Sequence, residues 1–408
     1  MASDNEDEIV QEPVVQMVPN YEVSDRAFLL SLPSIGEQEK QEARQFILET
    51  IEKEEMAPYY KHLAGELDQL PYDDALYQRL KATNDQKIKE LRDKITELES
   101  NDEGALELAN GWAELGAYYT QIADLKTHTR CSWGRALKCA ISLGAKIDVL
   151  FMVVRLGFFY DKQHFVKEKL EEIEALIEKG GDWERRNRYK TYLGVHSLAV
   201  RDFKKTAELL VDSLATFTSV ELTSYENIAT YANVAGLFAL ERTDLKRKVI
   251  DSPEMLSIMT STPALQSISS LTIALYTSDY ASFFPFLLET YDKVLIPCKY
   301  LNKHSDFFIR EMRRKVYAQL LESYKTLSLK YMATAFGVSV EFLDNDLGKF
   351  IPNKKLNCVI DRVNGIVETN RPDNKNAQYQ LLVKQGDGLL TKLQKYSTAV
   401  KLTGSDRV

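Results

Sequence analysis

A chain of 408 residues holds roughly two to three domains at ~100–200 residues each, and its 44% hydrophobic and 27% charged composition is that of a globular protein with a sizeable core. No apolar run approaches the ~18 residues of a membrane-spanning helix, and the chain is expected to be soluble. The net charge of -8 weighs against nucleic acid and anionic membranes as main partners, which leaves other proteins as the expected ones.

Residues 1–20 carry Asp4, Glu6, Asp7, Glu8 and Glu12 with no Lys or Arg. This acidic leader lacks apolar periodicity and is expected to be disordered. Its sign is opposite to that of a secretory signal or transit peptide. The four cysteines, Cys131, Cys139, Cys298 and Cys358, form no C-x-x-C pair and read as reduced thiols. A cytoplasmic and nuclear location is the expectation. N-terminal helices are expected over 21–104. Among them Asp73 to Ser100 reads as one charged helix, with Ile88, Leu91, Ile95 and Leu98 at three-four-three spacing. That seam packs either within the chain or against a partner.

The 181 residues from Tyr72 to Ser252 contain no proline, the residue that helix interiors exclude. Within 105–302 an internal repeat appears. Trp112, Leu115, Gly116 and Tyr119 match the first-helix signature of a tetratricopeptide unit; Leu156-Gly157-x-x-Tyr160 follows 41 residues on, Leu193-Gly194 after 37 and Val234-Ala235 after another 41. Each small residue lets two helices approach closely, and Val166 to Lys179 and Phe203 to Phe217 supply second helices. The spacing exceeds the ~34 residues of the consensus, so the expected fold is a tetratricopeptide-like helical-repeat solenoid.

Over 303–372 the pattern changes. A helix from about Ser305 is expected to bury Ile309, Met312, Val316, Leu320 and Tyr324; a second buries Leu329, Met332 and Phe336 and ends at Gly337; a third, capped by Ser339, turns Val340, Leu343, Leu347 and Phe350 inward. Cys358 to Val363 and Ile366 to Thr369 flank Asn364-Gly365, the signature of a two-residue hairpin. Three helices and a hairpin make a winged helix. The fold class is therefore mostly α: a repeat solenoid, a winged-helix module with a small β-hairpin, and a C-terminal helix. Many winged helices read DNA through the third helix, but Glu341, Asp344 and Asp346 face a single Lys349 there, the wrong balance for phosphates. Lys354, Lys355 and Arg362 near the wing read as a solvated face. A winged-helix nucleic-acid-binding protein is thus the alternative from another class.

In 373–408 Tyr379, Leu382, Gly386, Leu389, Leu393, Tyr396 and Val400 recur at alternating three and four residues, a heptad stripe that marks a candidate subunit-interaction surface. Asn374 or Asn376 could cap this helix, and Gly404 would lie beyond its end. The alternative is that it folds back on its own winged module.

No constellation for catalysis appears. The chain has no G-x-x-x-x-G-K-[ST] loop and no G-x-G-x-x-G, and its histidines (His62, His128, His164, His196, His304) never fall at H-x-H or H-E-x-x-H spacing. His128, Cys131 and Cys139 approach metal-ligand spacing but lack an evident fourth ligand and read as helix-packing residues. No catalytic residue, cofactor or metal site is expected.

A helical-repeat arm running into a winged helix resembles the PCI family, whose members build the proteasome lid, the signalosome and a translation initiation factor. Met56–Tyr60, Gly180–Arg188, Ala318–Tyr324 and Ile366–Asp373 look like segments of its proteasome-lid branch, and the likeness runs from about Tyr21 onward. The resemblance implies a non-catalytic structural subunit of the 26S proteasome regulatory-particle lid, found in cytoplasm and nucleus, that scaffolds the complex degrading ubiquitinated proteins. It further implies contacts with other lid PCI subunits through the winged helix and C-terminal helix, with the lid metalloprotease subunits and base ATPases beyond them. A PCI subunit of the signalosome is the nearest alternative.

Overall fold

The computed structural model describes residues 18–405 except 34, 68–69, 71, 101–104, 126–133, 136, 138–141, 261 and 371–373. The chain divides into two compact units, one formed by the residues up to Asp279 with Pro285–Ile309, the other by Tyr280–Phe284 with the residues from Arg310 onward.

In the first unit α1 (Tyr21–Ser31) is capped by the Asn20 side chain, which accepts from the Glu22 amide. Its Val23, Ala27 and Leu30, at helical spacing, pack with Ala43, Ile47 and Ile51 of α2 (Glu37–Glu54) and with Tyr59, Tyr60 and Leu63 of α3 (Ala57–Glu66). α4 (Asp74–Ser100) is the charged helix expected from the sequence. Its seam is filled within the chain: Ile95 is buried with Trp112 and Leu115 of α5 (Ala105–Gln121), and Ile88 and Leu91 pack beside them.

The following helices run in pairs: α6 (Leu143–Phe159) with α7 (Gln163–Gly180), and α8 (Trp183–Ala199) with α9 (Phe203–Ser213), before α10 (Tyr225–Ala239). The small residues act as the repeat requires. A methyl group on Gly157 would lie 2.6 Å from Val166 Cγ2, and one on Gly194 would lie 2.5 Å from Leu210 Cδ2. In α10 Val234 and Ala235 are fully buried, and a methyl group on the next residue, Gly236, would lie 3.0 Å from Val249 Cγ2. A short α11 (Arg242–Leu245) leads into a wide helical turn, then α12 (Pro253–Met259), α13 (Pro263–Thr277) and α14 (Tyr280–Thr290) follow. Pro253 and Pro263 stand at first helical positions, where the missing N–H costs nothing.

The hairpin turns share a geometry that the sequence conceals. Ala123, Asp161 and Arg201, 38 and 40 residues apart, all have positive φ, at 54°, 53° and 74°. After each, an amide reaches back five residues: Asp124 N to Tyr119 O, Lys162 N to Gly157 O and Asp202 N to Ser197 O. These are Schellman caps closed without glycine. The non-glycine side chains are in use at two of them. Asp161 pairs with Lys303, and the Arg201 guanidinium stacks 4.7 Å from the Phe307 ring.

The chain is anchored from Val18. Arg155 Nη1 donates to Val18 O, Tyr21 Oη to Arg155 O at 2.7 Å, and Lys299 Nζ to Ser24 Oγ and to the carbonyls of Phe158 and Phe159 that end α6. Val18–Asn20, assigned to the acidic leader from sequence, thus belong to the folded body; residues 1–17, where the rest of that expectation falls, lie outside the described residues.

In the second unit α15 (Ser305–Ser323), which begins in the first, is followed by α16 (Leu329–Phe336) and α17 (Val340–Phe350). Gly337 closes α16 at φ 66°, and Ser339 Oγ caps α17 by accepting from Phe342 N. Two inward assignments fail. Tyr324 lies past the end of α15 and is exposed; Val340, at the first position of α17, is exposed. The hairpin joins β2 (Cys358–Asp361) to β3 (Ile366–Thr369) through four residues, not two, because Asp361 pairs with Ile366. The Asp361 carboxylate accepts from the amides of Val363 and Asn364, which draws Arg362 and Val363 out of the ladder. A third strand, β1 (Thr326–Ser328), pairs antiparallel with β3, giving the order β1-β3-β2. Asn374–Ser405 form the last helix, α18.

Candidate subunit-interaction surface

All seven residues of the heptad stripe lie on α18, and their side chains face water. Tyr379, Leu382, Leu389, Leu393, Tyr396 and Val400 are 50–70% exposed, and a methyl group added at Gly386 would meet nothing within 4 Å. The helix does not fold back on the winged module: every described side chain from Lys375 to Val400 is exposed. It is also longer than expected. Its 32 residues span about 48 Å at ~1.5 Å each and continue through Gly404, which was expected to lie beyond the end.

Leu381, Val383 and Leu390 are equally exposed and were missed by the seven-residue stripe. Val383 and Leu390 each follow a stripe residue directly, so apolar groups occupy a, d and e positions of the heptad. A strict a and d stripe is the narrow seam of a two-stranded coil, whereas the a, d and e arc is the broader face of a helix that touches more than one neighbour. A count of apolar residues flanking the stripe would have revealed this from sequence.

The winged module is held by charge pairs that use the acidic side chains of α17. Asp346 is buried and meets Arg313 Nη1 at 3.2 Å and Tyr317 Oη at 3.2 Å; burial, followed by this carboxylate, pushes the Tyr317 phenol up. Asp344 takes Arg362 from the wing at 3.0 Å. Glu311 of α15 binds Arg314 and Lys355; burial alone would raise its carboxyl, but these hydrogen bonds prevail and hold it below its ordinary value. Two of the three α17 acids are therefore structural pairs, and Lys355 and Arg362 are engaged rather than merely solvated. Beside exposed charges, α17 and the wing present apolar side chains: Phe342, Val340 and Val359 are exposed, and Val363 at the wing tip is 94% exposed. Such a face fits protein better than phosphate.

Among the described residues no group of three His, Cys, Asp or Glu could hold a metal; His128, Cys131 and Cys139 lie outside them. The Gly180–Arg188 segment is a staple. Arg185 reaches Asp148 of α6 at 2.7 Å, a methyl on Gly144 would strike the Arg185 guanidinium at 2.8 Å, and Arg186 Nε donates to Gly181 O.

Three family models match the chain in order: 26S proteasome subunit RPN7 over residues 73–248, PCI domain over 288–371, and the 26S proteasome regulatory subunit RPN7/PSMD6 C-terminal helix over 378–400. A Saccharomyces cerevisiae protein named 26S proteasome regulatory subunit RPN7 is 67% identical, with 97% of each chain covered. The chain belongs to the RPN7 family of 26S proteasome regulatory subunits. Relatives in the family include the rpn7 subunit of Schizosaccharomyces pombe, 41% identical over 94% of this chain and 96% of its own. The 26S proteasome non-ATPase regulatory subunit 6 of Dictyostelium discoideum is 36% identical over 95% and 99%. The exposed stripe from Tyr379 to Val400 falls within the residues matched by the family's C-terminal helix.

Proposed function

We propose that this chain is a non-catalytic structural subunit of the 26S proteasome regulatory-particle lid, in cytoplasm and nucleus, and that it joins the particle through α18 and its winged-helix module. The observation that carries the reading is α18 itself, a long helix whose apolar arc finds no cover among the described residues. Eight large apolar side chains on this arc, each gaining ~1–2 kcal/mol when the exposed part is buried, give about 8–16 kcal/mol as an upper bound, against ~4–15 kcal/mol for association. Docking on one helix is marginal, and sharing the arc among several helices from other lid PCI subunits is favourable. The lid metalloprotease subunits and base ATPases are more distant neighbours on this reading.

Leu389→Asp with Leu393→Asp tests it. The double variant should keep the helicity and melting behaviour of the isolated subunit, since neither side chain is buried, yet fail to co-purify with tagged lid subunits. Stoichiometric co-purification of the double variant refutes the assignment. Fluorescence microscopy of a tagged copy tests the location.

A further inference from the structure

α18 carries Lys375, Lys384, Lys392, Lys395 and Lys401 against one acid, Asp387, in a chain whose net charge is -8. Lys384, Lys392 and Lys395 are exposed, without a carboxylate partner among the described residues. At ~100° per residue Lys392 falls on the rim of the apolar arc, three residues after Leu389 and four before Tyr396. That is the g side of the heptad; the opposite, e side is the apolar one, with Val383 and Leu390. Lys384 and Lys395 lie towards the back of the helix and extend the positive field.

We propose, resting on the reading of α18 as an assembly helix, that this helix selects neighbours whose flanks are acidic and that its charge excludes a second copy of this chain. Residues flanking a heptad seam set partner choice more than they set affinity. Two α18 helices packed on each other would bring two strongly positive segments together, whereas a neighbour rich in Glu and Asp is drawn in and matched at Lys392. The apolar arc supplies the contact area and the lysines decide what fills it.

The test uses the full chain and two designed helical peptides with one leucine seam, flanked throughout by Glu in one and by Lys in the other. The Glu-flanked peptide should bind roughly tenfold more tightly at ~20 mM salt, and the difference should vanish near ~500 mM, where exposed charges are screened. Lys384→Glu, Lys392→Glu and Lys395→Glu together should reverse the preference without changing helicity, because Lys and Glu have similar helix propensity. Equal affinity for both peptides at low salt, abolished for both by Leu389→Asp with Leu393→Asp, overturns the charge selection and leaves the assembly helix standing. Self-association of the full chain that this double variant removes overturns the exclusion of a second copy. Peptide binding unaffected by the double variant overturns the assembly helix and the charge selection with it.

Discussion

Gly194→Ala measures directly whether small residues set the helix approach in the repeat. The new methyl would stand 2.5 Å from Leu210 Cδ2 and 2.8 Å from Leu210 Cγ, and Leu210 is fully buried, so it cannot swing aside. Overpacking of this kind costs ~1–3 kcal/mol, while replacing glycine in a helix interior gains ~1 kcal/mol, leaving a net loss of ~0–2 kcal/mol. Leu210→Ala alone should cost ~2–5 kcal/mol through its cavity. In that background the clash is gone, and Gly194→Ala should stabilise by ~1 kcal/mol. The two substitutions are therefore coupled by ~1–3 kcal/mol. The described tryptophans, Trp112 and Trp183, belong to the first unit and no tryptophan follows Asp279 in the sequence, so urea unfolding followed by tryptophan fluorescence reports on the unit that holds the contact and avoids treating the whole chain as two-state. Additive effects, with coupling below ~0.5 kcal/mol, would show that the helices do not depend on Gly194 for their approach.

Removing residues 1–17 should leave the thermal melt and assembly unchanged, whereas removal through Asp25 takes away Val23, the Tyr21 and Ser24 hydrogen bonds and a partner of half-buried Lys299. A loss of ~3 kcal/mol or more is expected for the longer truncation, read by melting and limited proteolysis. Ala123→Gly should change stability by less than ~0.5 kcal/mol in the same fluorescence assay, since relief of the positive φ, ~1 kcal/mol, is offset by loss of a fully buried methyl group of about the same worth. Asp25 is raised to about 6 by burial, with Lys299 opposing and Glu22 adding to the shift. The folded state therefore holds this proton more tightly than the unfolded one, and its contribution is present below pH ~4 and lost as pH rises through about 6. Asp25→Asn should flatten that part of the stability profile, gaining relative to the parent as pH rises from ~4 to about 6 and keeping that gain above it; an unchanged slope in urea titrations would refute the assignment.

Local signals were legible wherever a residue type has one physical use. The long stretch without proline, the Gly157 and Gly194 phase, Gly337 and Ser339 as caps, and the heptad stripe all follow from backbone rules and helical periodicity. They sufficed for a repeat followed by a winged helix and for a candidate surface on the last helix. Tertiary structure decided what periodicity leaves open. Ala123, Asp161 and Arg201 close turns that sequence rules reserve for glycine, because contacts elsewhere repay the strain, as Lys303 and Phe307 do for the latter two. Thr326–Ser328 is too short to announce itself as a strand and becomes one only when β3 offers its edge. Two of the acids counted against DNA on α17 are counter-ions to Arg313 and Arg362, a pairing set by residues 18 to 33 positions away in the chain. An apolar stripe looks the same in sequence whether the chain buries it or leaves it bare. That α18 is bare depends on what the rest of the fold covers, because burial is a property of the whole packed chain and not of the segment that seeks it.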